Sequence, residues 1–151
     1  MTSEVMDAVT RRRNHGFHRS FAMSFKEPAM TTPLAIADRY LATWNEPDAA
    51  RRRALVAALW SPQGRYADPL MSGEGHDGLA DMIEAARAQF PCLVFTPRGA
   101  PDGHGPFARF SWSLGPAGGA AVAGGTDVAR LDDAGRVVEV IGFLDSGAGH
   151  A

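Results

Sequence analysis

Apolar residues recur every three or four positions up to Pro91 and every second position after it, and this change of period excludes most architectures. A chain that makes helices first and a run of strands afterwards builds an α+β domain; it lacks the alternating order of a doubly wound parallel sheet. The first part predicts helices over 33–45, 47–60 and 77–90. In the first helix, Thr32 is placed to cap and Pro33 to open it, and Ile36, Tyr40 and Trp44 form one stripe with Leu41 beside them. In the second, Leu55, Val56, Leu59 and Trp60 are expected to face inward and Arg51, Arg52 and Arg53 to form a solvated face. In the third, Asp77 is the expected N-cap, and Leu79, Met82, Ile83, Ala86 and Phe90 make the apolar stripe. Between the last two, Ser61-Pro62-Gln63-Gly64 reads as a turn, 65–68 as a short strand that Pro69 stops, and 73–75 as a loop.

The second part predicts strands over 93–98, 107–114, 120–131 and 136–145. Gly-rich 115–119 and Asp132-Asp133-Ala134-Gly135 join them, the latter with Gly135 suited to positive φ. Connections this short make consecutive strands antiparallel neighbours. Gly124-Gly125 inside a strand predicts a bulge that bends the sheet. The expected fold is a cone-shaped, curved, mainly antiparallel sheet covered on one face by the N-terminal helices, which encloses a pocket.

The chain has 151 residues, enough for one such domain, expected over 30–147. Residues 1–29, which carry Arg11-Arg12-Arg13 without a sustained apolar period, are expected to be a mobile tail or an over-long reading of the gene, and 148–151 a C-terminal tail. A net charge of −2 lacks the broad basic footprint of a nucleic-acid binder, so no nucleic-acid partner is expected. No apolar run is long enough for a membrane span. Cys92 is alone, which excludes an intrachain disulfide and fits a reduced, cytoplasmic setting. His76 and His104 have no evident third ligand, so no metal is expected.

Three polar residues stand where apolar ones are expected. Tyr40 lies on the buried stripe of the first helix, Asp68 at the end of a short strand, and Asp127 within Val122-Ala123-Gly124-Gly125-Thr126-Asp127-Val128-Ala129, a stretch too apolar to solvate a carboxylate well. If Asp127 shares a face with Gly125, Ala129 and Leu131, it points into the concavity. Buried without a cationic partner, it keeps its proton near neutrality and can donate a hydrogen bond, as a tyrosine does. Two neutral donors aimed at one point make an oxyanion site, and a more exposed Asp68 could act as a base. The competing reading makes Tyr40 a core tyrosine and Asp68 a turn residue, and pairs Asp127 with Arg109 or Arg130.

These segments resemble a known family. Arg39-Tyr40-Leu41-Ala42-Thr43-Trp44-Asn45, Tyr66-Ala67-Asp68-Pro69, and Gly125-Thr126-Asp127 followed by Val128-Ala129-Arg130-Leu131 are similar to motifs of the bacterial ketosteroid isomerases, within the SnoaL-like, nuclear-transport-factor-2-like (cystatin-like) superfamily. The resemblance spans about 33–145. It implies catalytic roles for Tyr40 (oxyanion donor), Asp68 (general base) and Asp127 (protonated oxyanion donor), acting without a cofactor on a small apolar carbonyl compound through a dienolate. It also implies a homodimer. Trp44, Phe95, Phe110, Trp112 and Phe143 are the aromatic candidates for binding that substrate. The same fold serves cyclases, hydratases and noncatalytic ligand-binding or dimerisation modules, which stand as the alternatives.

Overall fold

The structure, a computed structural model, describes residues 32–145; the expected tails 1–29 and 148–151 lie outside them. Helix α1 (Pro33–Asn45) opens at its proline, and its stripe of Ile36, Tyr40 and Trp44 is buried. Its last residue is tied to the sheet: the Asn45 side chain donates to the Phe95 carbonyl and accepts from the Phe95 N–H, each at 2.8 Å.

Helix α2 (Ala49–Leu59) starts two residues later than expected, because Asp48 caps it by accepting from the Arg51 N–H at 2.8 Å. Two expectations for its faces are corrected. Arg52 is buried, donating to the Glu46 carbonyl at 2.7 Å and lying 3.8 Å from Glu84, while Leu55 faces outward. Helical rotation explains both. Val56 and Leu59 take the inward positions, and Arg52, one turn before Val56, falls on the same side.

Strand β1 (Trp60–Ala67) includes the expected turn at 61–64 as an irregular stretch, where pairing with the last strand, Val137–Leu144, jumps from Trp60↔Val137 to Arg65↔Glu139. Pro62 has no N–H to give the ladder, and Gly64 approaches the Trp60 ring so closely that a Cβ would sit 2.7 Å from it. The expected loop after it holds a short strand, β2 (Ser72–Glu74), paired with Arg65–Ala67. Helix α3 (Gly75–Gln89) begins before the expected cap. Asp77 lies in its first turn, where the helix dipole favours a carboxylate, and Arg53 reaches it from α2.

Four strands follow: β3 (Leu93–His104), β4 (Phe107–Pro116), β5 (Ala123–Leu131) and β6 (Val137–Leu144). They form the expected antiparallel meander, and β1 adds to β6 in parallel, for a sheet order β2-β1-β6-β5-β4-β3. β3 runs six residues beyond its predicted end, with a register shift between Arg98 and Asp102. The bulge expected at Gly124-Gly125 is absent, since the β4–β5 register is unbroken from Phe107↔Arg130 to Leu114↔Ala123. These glycines serve close approach instead: a Cβ on Gly125 would sit 2.6 Å from the Trp112 ring. α1 packs on β3 and β4, and α3 on β1 and β2, with α2 behind both helices. Helices thus cover one face of a curved, unclosed sheet. Among the described residues no helix is long and apolar enough to cross a membrane.

Candidate active site

The inward face of the meander follows strict alternation: Ala108, Phe110, Trp112 and Leu114 on β4, and Gly125, Asp127 and Ala129 on β5. Between this face and helices α1 and α3 lies an apolar pocket of about 180 Å³. Tyr40, Asp68 and Asp127 all line it, as do Trp44, Phe95 and Trp112. Two of the five aromatic candidates do not. Phe110 lies behind Tyr40, with ring centroids 5.0 Å apart, and closes the core rather than the pocket. Phe143 is 57% exposed, because the two-residue period that turns Gly142 and Leu144 inward turns it to the other face.

The β6 register brings the two aspartates together. Gly142 pairs with Asp127 on one side, and its neighbour Ile141 pairs with Ala67, next to Asp68, on the other. A Cβ at Gly142 would lie 2.8 Å from Asp127 Oδ1, 3.1 Å from Asp68 Cβ and 3.1 Å from the Tyr66 hydroxyl. Three polar side chains therefore converge over one glycine, which is glycine because a methyl group there would displace them.

Asp68 serves the turn and the pocket at once. Its Oδ1 accepts from the Leu70 and Met71 N–H groups at 2.7 and 2.9 Å, while its Oδ2 accepts from the Tyr66 hydroxyl at 2.5 Å. The backbone donors fix the carboxylate at the strand end, and the phenol orients the other oxygen at the pocket wall.

Asp127 is 2% exposed and, among the described residues, has no guanidinium partner. Arg109 is committed to Asp102, with contacts of 3.0 and 2.7 Å, and Arg130 lies 3.7 Å from Glu139. Burial pushes the Asp127 carboxyl up to about 6; the Tyr40 hydroxyl and the Trp112 indole oppose the shift, and the Asp68 charge adds to it. The direction is the one expected of a carboxyl buried without a cationic partner. A ligand that displaces water from the pocket would push the value further in the same direction. Burial also raises the Tyr40 and Tyr66 hydroxyls, so both remain donors at physiological pH. Among the described residues, Tyr40 Oη and Asp127 Oδ1 are buried and make no hydrogen bond of ordinary geometry, although the Tyr40 hydroxyl lies near enough to oppose the rise at Asp127. Buried polar atoms left in this way are rare in folded proteins.

Sequence reasoning overlooked Tyr66, Gly142 and Arg87. Tyr66 was within reach, because it stands two residues before Asp68 on a strand and so shares its face. Gly142 could be found only from the cross-strand register. Arg87, on the last turn of α3, lines the pocket through helical packing with no local signature. Asp145 also lines the pocket and pairs with Arg98 at 2.5 Å. His76 is bonded to the Trp60 carbonyl at 2.8 Å, and no cluster of potential metal ligands occurs among the described residues.

No curated protein matches the chain. Among solved structures, a candidate isomerase of the SnoaL-like family from Agrobacterium tumefaciens strain C58 is 57% identical; the match covers 75% of this chain and 97% of that one, with a TM-score of 0.73. A nuclear-transport-factor-2-like protein of unknown function from Exiguobacterium sp. 255-15 is 20% identical (74% and 98% covered, TM-score 0.59). A candidate SnoaL-like polyketide cyclase from Jannaschia sp. CCS1 is 17% identical (76% and 88%, TM-score 0.58), and at these identities the last two speak to the fold alone. The model of the SnoaL-like domain family matches residues 37–140, a stretch that contains Tyr40, Asp68 and Asp127. The chain is a member of the SnoaL-like domain family.

Proposed function

We propose that the protein is a cofactor-free acid–base enzyme that moves a proton within a small apolar carbonyl compound. The observation that carries this reading is the placing of two neighbouring buried groups, Tyr40 Oη and Asp127, neither Tyr40 Oη nor Asp127 Oδ1 held in a hydrogen bond of ordinary geometry among the described residues, in an apolar pocket whose wall also holds Asp68. Asp68 removes a proton from a carbon next to the carbonyl or its conjugate position. The C–H electron pair forms a new C=C bond, and the carbonyl π electrons move onto oxygen. Tyr40 and the protonated Asp127 donate to that oxygen, which bears more charge in the transition state than in the ketone. Asp68 then returns the proton to a different carbon, so the reaction is an isomerisation with no net gain or loss of atoms. Tyr66 holds Asp68 in place through both transfers. The 57% identity to a relative named as a candidate isomerase is in keeping with this chemistry.

The test is an ultraviolet assay for conjugated enone formed from β,γ-unsaturated ketones. Removing one oxyanion donor costs about 3–4 kcal/mol in comparable sites, so Tyr40→Phe and Asp127→Leu should each lower turnover roughly 10²–10³-fold. Asp68→Asn should be more damaging still. Unchanged turnover in the first two variants would dispose of the mechanism. Retained ligand binding without any proton transfer would favour the noncatalytic alternative.

A further inference from the structure

Arg87 is the arginine in the pocket wall. It is half-buried, and its Nη1 donates to the Trp44 carbonyl at 2.8 Å, which seats the guanidinium at the C-terminal end of α1. Among the described residues no carboxylate pairs with it, nor with Arg39 or Arg51, whereas Arg52, Arg53, Arg65 and Arg98 each have at least one. Asp145, in the same wall, is taken by Arg98. A guanidinium carries five N–H donors, and a single carbonyl leaves most of them unspent. Leu70 and Phe90, both exposed, mark the mouth of the pocket, and Arg87 lies one helical turn before Phe90. The cavity, at about 180 Å³, is little larger than the roughly 150 Å³ that accepts benzene, so it holds one ring or a short chain. Anything longer must leave through the mouth, past this cation.

We propose that Arg87 selects ligands bearing a carboxylate: the preferred substrate is a single-ring or short-chain apolar carbonyl compound whose carboxylate sits on the Arg87 guanidinium while its carbonyl reaches Tyr40 and Asp127. The orientation rests on the proton-transfer reading; the carboxylate preference does not. Planar two-point contact with a carboxylate is what a guanidinium provides best, and its position at the mouth spares the ligand's charge full burial beside Asp68 and Asp127.

Calorimetric titration of the full chain with 3-(4-hydroxyphenyl)propanoate and with the corresponding amide tests this directly. The acid should bind about 10–100-fold more tightly than the amide, as expected for hydrogen bonds to a charged group. Arg87→Gln should bring the acid down to the amide's affinity and leave the amide unchanged, which also reports an intact pocket. Equal affinities in the parent, or a preference that survives Arg87→Gln, would overturn the proposal. Should Arg87→Gln lose both ligands, Arg87→Lys must still favour the acid, and its failure to do so would also overturn it. A persistent acid preference alongside unchanged turnover in Tyr40→Phe and Asp127→Leu would remove the isomerase reading alone.

Discussion

Burial makes the proton on Asp127 a link between stability and pH. The folded carboxyl holds its proton up to about pH 6, against an ordinary value of 3.8. Ionising it in place therefore costs stability. The penalty is absent below the unfolded value, grows as pH rises, and is complete above the folded one, where it is on the order of 3 kcal/mol. Asp127→Asn, which removes the charge and keeps the shape, should be more stable than the parent at pH ~8 and lose that advantage below pH ~4. Urea unfolding across this range checks it, and equal stability at both ends would contradict the burial argument. The same proton is needed for donation to the substrate oxygen, so kcat/KM should fall as pH rises through about 6 in the parent. An enone assay across pH should show that fall flattened in Asp127→Asn, whose amide donates at every pH.

Glycines on β5 and β6 decide how closely these side chains can gather. At Gly142 an added methyl would meet Asp127 Oδ1 at 2.8 Å and the Tyr66 hydroxyl at 3.1 Å, so Gly142→Ala should cost turnover at least as much as losing one oxyanion donor. At Gly125 the methyl would meet the Phe143 carbonyl at 2.5 Å and the Trp112 ring at 2.6 Å, neither able to swing away. At Gly124 its nearest contacts are the ends of the Arg98 and Asp145 side chains, which can. Gly125→Ala should accordingly destabilise by about 1–3 kcal/mol, more than Gly124→Ala, in denaturant titrations. The Gly124-Gly125 pair also shows where local reading stops. A double glycine in a strand signals either a bulge or a close approach, and only the ring opposite decides which. Likewise the Arg51-Arg52-Arg53 run looks uniformly solvated until the rotation of α2 places Arg52 on the buried side.

What was legible along the chain was what depends on period. The helices, the antiparallel meander and the inward parity of Asp127 all follow from spacing, and so does the presence of Tyr40 on a buried stripe. What was not legible depends on which strand lies beside which. The parallel pairing of β1 with β6 sets Ala67 next to Ile141, and this alone brings Asp68 toward Asp127 across Gly142. Arg87 enters the pocket only because the end of α3 lies against the end of α1. The site is thus a product of sheet order and helix packing acting on three residues whose types were already out of place in the sequence. Its central element is the raised proton affinity at Asp127, and carbon-13 NMR of the labelled aspartate carboxyls, assigned by the signal missing in Asp127→Asn, measures it most directly. The account predicts a titration midpoint near pH 6 that moves upward when a phenol fills the pocket; a midpoint in the ordinary carboxylate range near 4, unmoved by the ligand, would contradict it.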